Sequence, residues 1–297
     1  MKTYFDAAME ASSGFKRLKS YSNKNQTTVV GLFSKVSDPD IIVVYIPGGV
    51  KPLGLDATKG PLKKSSPRKR RSGNRLSYLD SRLRGNDVTS LNNQSSPNLT
   101  TLQPGGFTWR WLPLWLNRGV AVATVDFPAK FKKEMPPTER VKKERIDALN
   151  EIINDIRSLF PRAIVAGYGH SYGALEMSLL ARTKLLDKAI IGSGSWNQSP
   201  DKKDPYAKVH VKGFDNTTAA IPTLIVHHEQ DKTSKCQIGE ATKIMKMFDS
   251  ITVSGGIPHL GAPGTDPGPH FFHMQEDEVV RNILLWVRNK QYCHFIE

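Results

Sequence analysis

Cysteine is almost absent, with Cys236 and Cys293 the only two in 297 residues. Two cysteines cannot make a disulfide framework, and so sparse a supply fits a reducing compartment, with one bridge in an exported form left open. Long apolar runs are missing too. No stretch of the sequence reaches the roughly 18 consecutive apolar residues of a membrane-spanning helix, so no membrane partner is expected. The first residues, MKTYFDAAMEASSGFKRLK, carry a lysine but no apolar stretch of about 7 to 15 residues behind it, and do not read as a secretory signal. A cytoplasmic location is the expectation, or a periplasmic or secreted one if an upstream signal peptide is missing. Acidic residues are also scarce: 28 Asp and Glu stand against 42 Lys and Arg, a net charge of +14. What is not scarce is apolar material. The chain is 38% hydrophobic with five Trp, which excludes a disordered chain and is enough for one large α/β domain or two small ones.

A net charge of this size suggests a nucleic-acid partner until its distribution is read. Between Lys51 and Gly105 there are 11 Lys and Arg against 3 Asp, a net of +8 that leaves only +6 for the other 242 residues. The segment 51–104 contains PLKKSSPRKRRSGNRLSYLDSRLRGND and then a polar Ser/Asn/Thr stretch, without sustained periodicity. The expectation is a flexible basic insertion within a single domain spanning 1–297. The competing reading, a nucleic-acid arm, lacks aromatic stacking groups among its charges, so no nucleic-acid partner is expected. Residues Ser77 to Asp87 (SYLDSRLRGND) resemble the translated short palindromic repeats scattered through some bacterial genomes. That resemblance implies an in-frame insertion in a bacterial protein.

Outside this segment, short β-branched apolar runs predict buried strands. They are Thr27 to Phe33, Ile41 to Ile46, Val120 to Val125, Ala163 to Gly167, Ala189 to Gly192, Thr223 to His227 and Ile251 to Ser254. Helical spacing lies between them. From Glu139 to Phe160 the residues Val141, Ile146, Leu149, Ile152, Ile153, Ile156 and Phe160 recur at helical intervals and predict one amphipathic helix. Glu278 to Val287 predicts a closing helix. Alternating strands and helices imply an α/β fold with a mainly parallel central sheet and helices on both faces.

The stretch IVAGYGHSYGALEM, beginning at Ile164, admits two chemistries. Gly167 and Gly169 could open a phosphate-cradling G-x-G-x-x-G, but Tyr172 stands where the third glycine belongs. Asp187 precedes the next strand instead of ending it, and at least three strands come before the motif, so a dinucleotide cofactor is not expected. Gly169-His170-Ser171-Tyr172-Gly173 fits a nucleophile elbow instead. There a sharp strand-to-helix turn needs small residues two before and two after the serine, whose hydroxyl stands exposed at the top of the sheet. Gly167 is then simply the end of the strand.

A serine hydroxyl needs a base, and the base an orienting acid, in the chain order Ser, acid, His for this kind of elbow. Asp231, a few residues past the run TLIVH, is the candidate acid, with Glu229 as the fallback. The loop before the closing helix supplies His259, His270 and His273. His270, beside Phe271 and Phe272, leads; His259 is the serious competitor. His227 and His228 read as packing or supporting residues at a strand end. Two N–H donors for an oxyanion complete the set. The amide of Tyr172 is one; the other comes from Pro47-Gly48-Gly49 after the run IIVVYI, with Gly49 preferred and Gly48 close behind.

Together these residues make the chain resemble the α/β-hydrolase family from about Thr27 to Val287. Its PGG loop, GHSYG elbow, V-H-H-x-x-D segment and H-F-F are similar to those of a dienelactone-hydrolase-like group of bacterial serine hydrolases. The resemblance is the main reason for preferring His270 to His259. It implies the α/β-hydrolase fold and cleavage of an ester, thioester or related acyl bond through an acyl-enzyme, with a small-molecule acyl substrate and no metal or organic cofactor. Two departures limit it. A serine stands where dienelactone hydrolases proper carry cysteine, so dienelactone ring-opening is not carried over. Only 26 residues, Asn197 to Pro222, separate Trp196 from the next strand, too few for a large lid. The alternatives are a catalytically impaired hydrolase-fold binding protein and the basic-arm nucleic-acid binder.

Deleting Lys59 to Val88 is expected to leave turnover of a chromogenic ester largely intact. Loss of turnover in a folded deletion variant would overturn the reading of this segment as a passive insertion.

Overall fold

The computed structural model describes residues 17–23, 26–49, 53, 106–256 and 268–297. Of the expected 51–104 insertion only Leu53 is among them, and His259 lies outside them. The apolar runs form the inner strands of a nine-stranded sheet. These are β2 (Gln26–Phe33), β3 (Ile41–Ile46), β4 (Ala121–Pro128), β5 (Ile164–His170), β6 (Lys188–Gly192), β7 (Thr223–His228) and β8 (Asp249–Val253). Two edge strands, β1 (Arg17–Asn23) and β9 (Phe295–Ile296), were not expected. The first is polar and the second is two residues long, so neither leaves a periodic apolar signal. The spatial order is β1-β2-β4-β3-β5-β6-β7-β8-β9. Only β1 with β2 and β2 with β4 pair antiparallel; every other neighbouring pair is parallel.

Six helices accompany the described strands: α1 (Gly106–Leu116), α2 (Pro137–Arg140), α3 (Lys143–Leu159), α4 (Gly173–Leu180), α5 (Ile238–Met245) and α6 (Glu276–Val287). Strand side chains alternate between the two faces. Ile42, Val44 and Ile46 of β3 join the core beneath α3, α4 and α5, while Ile41, Val43 and Tyr45 join the core beneath α1 and α6. Both faces of the central strands are therefore dry, which is why they read as unbroken apolar runs. No helix among the described residues is long and apolar enough to cross a membrane. The described stretch from Asn197 to Pro222 contains turns and bends but no helix, so no helical lid is built there.

Two expectations need correction. The helix predicted from Glu139 to Phe160 is broken: α2 stops at Arg140, and Lys142 is extended (φ −70°, ψ 143°) before α3 begins. Val141 sits in the break and is exposed, so it does not belong to the apolar stripe. The break lets Arg140 and Arg145 both turn inward onto Glu176. In one continuous helix five residues advance about 500°, which would point them about 140° apart. Gly167, taken as the end of its strand, instead lies in the middle of β5. A Cβ there would come within 2.6 Å of both Leu186 Cδ1 and Met177 Cε.

Gly167→Val is expected to destabilise the protein by about 1–3 kcal/mol through overpacking between β5 and α4. A urea denaturation midpoint equal to that of the parent would show that the packing there is slack.

Candidate active site

Parallel pairing sets the site. Ile46 of β3 lies opposite Gly169 of β5, so the chain leaving β3 as Pro47-Gly48-Gly49 runs beside Gly169-His170-Ser171. Ser171 ends the strand in the left-handed region (φ 53°), an unfavourable conformation for a non-glycine residue that marks the sharp turn into α4. Its N–H donates to the Gly192 carbonyl (3.0 Å) and its own carbonyl accepts from Ala174 (3.0 Å), so the strained residue is held from both sides. The small neighbours are needed because the backbones touch. A Cβ at Gly48 would stand 2.7 Å from Ser171 Cβ, and one at Gly169 would stand 2.6 Å from Met177 Cβ. Among the described residues neither the Gly49 nor the Tyr172 amide has a protein acceptor.

Asp231 and His270 meet. Asp231 follows β7, is 2% exposed, and donates its N–H to the His228 carbonyl (3.1 Å). One carboxylate oxygen accepts from the Thr233 amide (2.8 Å) and the other from His270 Nδ1 (2.7 Å). Burial raises the carboxyl's pKa, but the attraction and hydrogen bond of His270, the field of His227 and the Thr233 amide outweigh it and bring the pKa to about 2. The carboxylate is therefore ionised at neutral pH and must be the acceptor. His270 therefore donates to it through Nδ1–H.

His270 is placed by its neighbours. It lies in the 3₁₀ turn Pro269–Phe271 and packs edge-on to His170 (5.0 Å between ring centres). Phe272, fully buried at φ 52°, docks against Trp111 of α1 (5.9 Å), and Phe271 stacks on His170 (5.3 Å). Trp111 in turn packs on Tyr168, which stacks on Tyr45. An aromatic wall thus runs from the sheet to the turn that carries the histidine.

The other candidates go elsewhere. The Glu229 carboxylate accepts from Ser254 Oγ (2.6 Å), and His273 Nδ1 faces Glu276 (3.3 Å). His228 accepts from the Gln230 amide and donates to the Gly255 carbonyl, and buried His227 donates to the Cys236 carbonyl (2.7 Å), so both brace the loop after β7. Burial lowers the His227 pKa to about 4, which keeps it neutral.

Several residues at the site carried no signal in the sequence. The buried Cys236 thiol lies beside the Ser171 hydroxyl, and burial pushes its pKa well up, so it stays protonated. Lys235, 4% exposed, lies 5.2 Å from the Tyr172 ring centre, pairs with Asp204 (3.1 Å) and donates to the Tyr206 carbonyl. It thereby fastens the stretch between β6 and β7 beside the elbow. Arg140, Arg145 and Glu176 form a buried ionic cluster behind the elbow. Glu176 alone had a visible mark, being the single charge in the helix GALEMSLL. Among the described residues no group of three or more His, Cys, Asp or Glu is arranged to hold a metal ion.

This architecture recurs in solved structures. Est1E from Butyrivibrio proteoclasticus superposes with a TM-score of 0.54 at 13% identity, over 93% of this chain and 100% of that one. A Xanthomonas campestris protein described as an α/β serine hydrolase without lid matches at 0.51 and 11% identity, over 92% and 94%. A 2,6-dihydroxy-pseudo-oxynicotine hydrolase matches at 0.55 and 14%, over 99% and 74%. The chain has the α/β-hydrolase fold. No family profile matches the sequence, and no curated protein matches it either.

Asp231 is expected to set part of the acid stability. Its unfolded pKa is about 3.9 and its folded one about 2. Because the folded value is the lower, the stabilisation is complete above about pH 4 and is lost as pH falls towards 2. At about 1.4 kcal/mol per pKa unit this is on the order of 2 kcal/mol. Urea denaturation at stepped pH should show that loss in the parent and a flatter acid limb in Asp231→Asn; identical limbs would contradict it.

Proposed function

We propose that the protein is a serine hydrolase of the dienelactone-hydrolase-like kind, cleaving an ester, thioester or related acyl bond through an acyl-enzyme. One observation carries this reading. Ser171 is held in the left-handed conformation at the top of a central parallel strand, against the Gly48 backbone, and its hydroxyl lies beside the Cys236 thiol, which is in the field of the Asp231 that binds His270. A strained backbone at such a turn has a function where the surroundings over-determine it, as they do here.

In the proposed mechanism Ser171 Oγ attacks the acyl carbon while His270 Nε2 takes its proton. Asp231 fixes the Nδ1–H tautomer and stabilises the imidazolium that forms. The negative charge that develops on the acyl oxygen is met by the N–H of Gly49 in the loop after β3 and by that of Tyr172 at the start of α4, whose N-terminus favours that charge. His270 then protonates the leaving group. Water, deprotonated by the same histidine, releases the acid and regenerates Ser171. In the resting geometry no hydrogen bond joins Ser171 to His270 among the described residues, and the hydroxyl lies beside Cys236. The proposed Ser171–His270 bond forms in the substrate complex.

With no helix between Asn197 and Pro222, the proposed substrates are small or extended soluble acyl compounds, without interfacial activation.

A fluorophosphonate probe is expected to label the protein, and Ser171→Ala to abolish labelling. With p-nitrophenyl esters of graded chain length, turnover should fall by a factor on the order of 10⁴ or more in Ser171→Ala or His270→Ala. Folded, unlabelled parent protein would sink this reading, and a preference for micellar long-chain esters would sink its substrate class.

A further inference from the structure

Behind the elbow, the fully buried Glu176 carboxylate receives two guanidinium groups. Arg140 of α2 donates through one Nη to Glu176 Oε2, and Arg145 of α3 donates through Nε to Glu176 Oε1 (2.7 Å). Glu176 lies on α4, five residues after Ser171. Both arginines are buried, Arg140 completely. Two buried cations for one carboxylate is more positive charge than ion pairing needs, and taking charges out of water is expensive. The arrangement needs a reason other than pairing.

The other Nη of Arg140 supplies one. It donates to the Gly49 carbonyl (2.8 Å), and the guanidinium rests on the Phe127 ring, 4.7 Å from its centre. Gly49 has φ +71°, a conformation open to glycine, and it is the residue of this loop least restrained by its own chemistry. Arg145 reaches the Asp126 carbonyl instead (3.4 Å), and Asp126 Oδ1 accepts from the Leu53 amide (2.8 Å). Gly49 is therefore tied through Arg140 and Glu176 to the nucleophile helix, while Leu53, further along the chain, is tied to the end of β4.

We propose that Arg140 is a positioning residue for the oxyanion hole: it clamps the Gly49 carbonyl against Glu176, so that the loop and the nucleophile elbow move as one body. This rests on the serine-hydrolase reading and adds to it a residue that touches neither substrate nor reacting atoms. The clamp acts on transition-state geometry, so its loss lowers kcat and spares KM. Fixing a donor matters because an oxyanion hole works by being oriented before the charge arrives.

The test compares Arg140→Met with Arg145→Met in the full-length chain. Each leaves one Arg–Glu pair, so neither strands a buried charge, but only the first frees Gly49. With p-nitrophenyl acetate, Arg140→Met is expected to lose about tenfold to a hundredfold in kcat, less than the loss of a donor outright, with KM within about twofold. Its affinity for phenylboronic acid, which forms a tetrahedral adduct on the serine, should fall by a similar factor. Arg145→Met should keep most of its kcat at a comparable thermal midpoint, and Arg140→Lys, which retains a donor, should recover part of the loss. If Arg140→Met does not fold, Arg140→Lys against Arg145→Lys carries the same comparison. Equal losses in the two positions, or unchanged kcat at Arg140, would overturn the clamp. Failure of the parent to react at Ser171 would overturn the hydrolase reading itself, a result the labelling experiment reads separately.

Discussion

The contact on which the site depends is that of one backbone against another, the loop after β3 against the end of β5. Gly48 approaches Ser171 Cβ and the His170 carbonyl so closely that no side chain fits between them. The same closeness recurs one turn on, where Gly173 leaves no room for a Cβ against the Ile46 carbonyl. Parallel pairing of β3 with β5 brings the two chain segments to the same edge at the same height, and glycine allows them to touch. The left-handed Ser171, the sharp entry into α4 and the close approach of the PGG loop are consequences of that single meeting.

Much of the fold was legible because its central strands are buried on both faces. The runs IIVVYI and TLIVH became β3 and β7, the first at the expected bounds and the second one residue longer. Strand ends were less visible: β5 continues through Gly167 to His170, because a glycine can mark close packing as well as a turn. The edge strands β1 and β9 were invisible, since a strand of polar sequence or of two residues carries no apolar pattern. The break at Val141 and Lys142 was hidden by flanking residues that satisfy helical spacing on either side of it.

At the site, the sequence could nominate types and chain order but not contacts. Asp231 and Glu229 both follow β7; only the fold shows that Asp231 turns inward to His270 while Glu229 takes Ser254. His270 and His273 are separated by three residues, and the docking of Phe272 on Trp111 decides which of them faces inward. The Arg140–Glu176–Arg145 cluster was illegible for a different reason. Its arginines sit among many exposed charges in TERVKKERID, and burial alone distinguishes them.

The stretch between β6 and β7 is fastened at several points: Lys235 holds Asp204 and the Tyr206 carbonyl beside the Tyr172 ring, Arg182 donates to the Lys212 and Gly213 carbonyls, and the Ala220 amide donates to the Ala181 carbonyl. Ser171 and Asp231 stand at the ends of β5 and β7, and the loop after Asp231 meets that stretch where the Lys235 carbonyl accepts from the Trp196 and Asn197 amides. The molecule is thus divided between a close-packed floor of touching backbones and a wall of turns pinned to it by separate polar contacts. For protein engineering the two differ in kind. In the hydrolase proposed here, selectivity would be re-cut in the wall, by exchanging the residues before Asp204 for segments of other length and polarity, without entering the close-packed turn beneath.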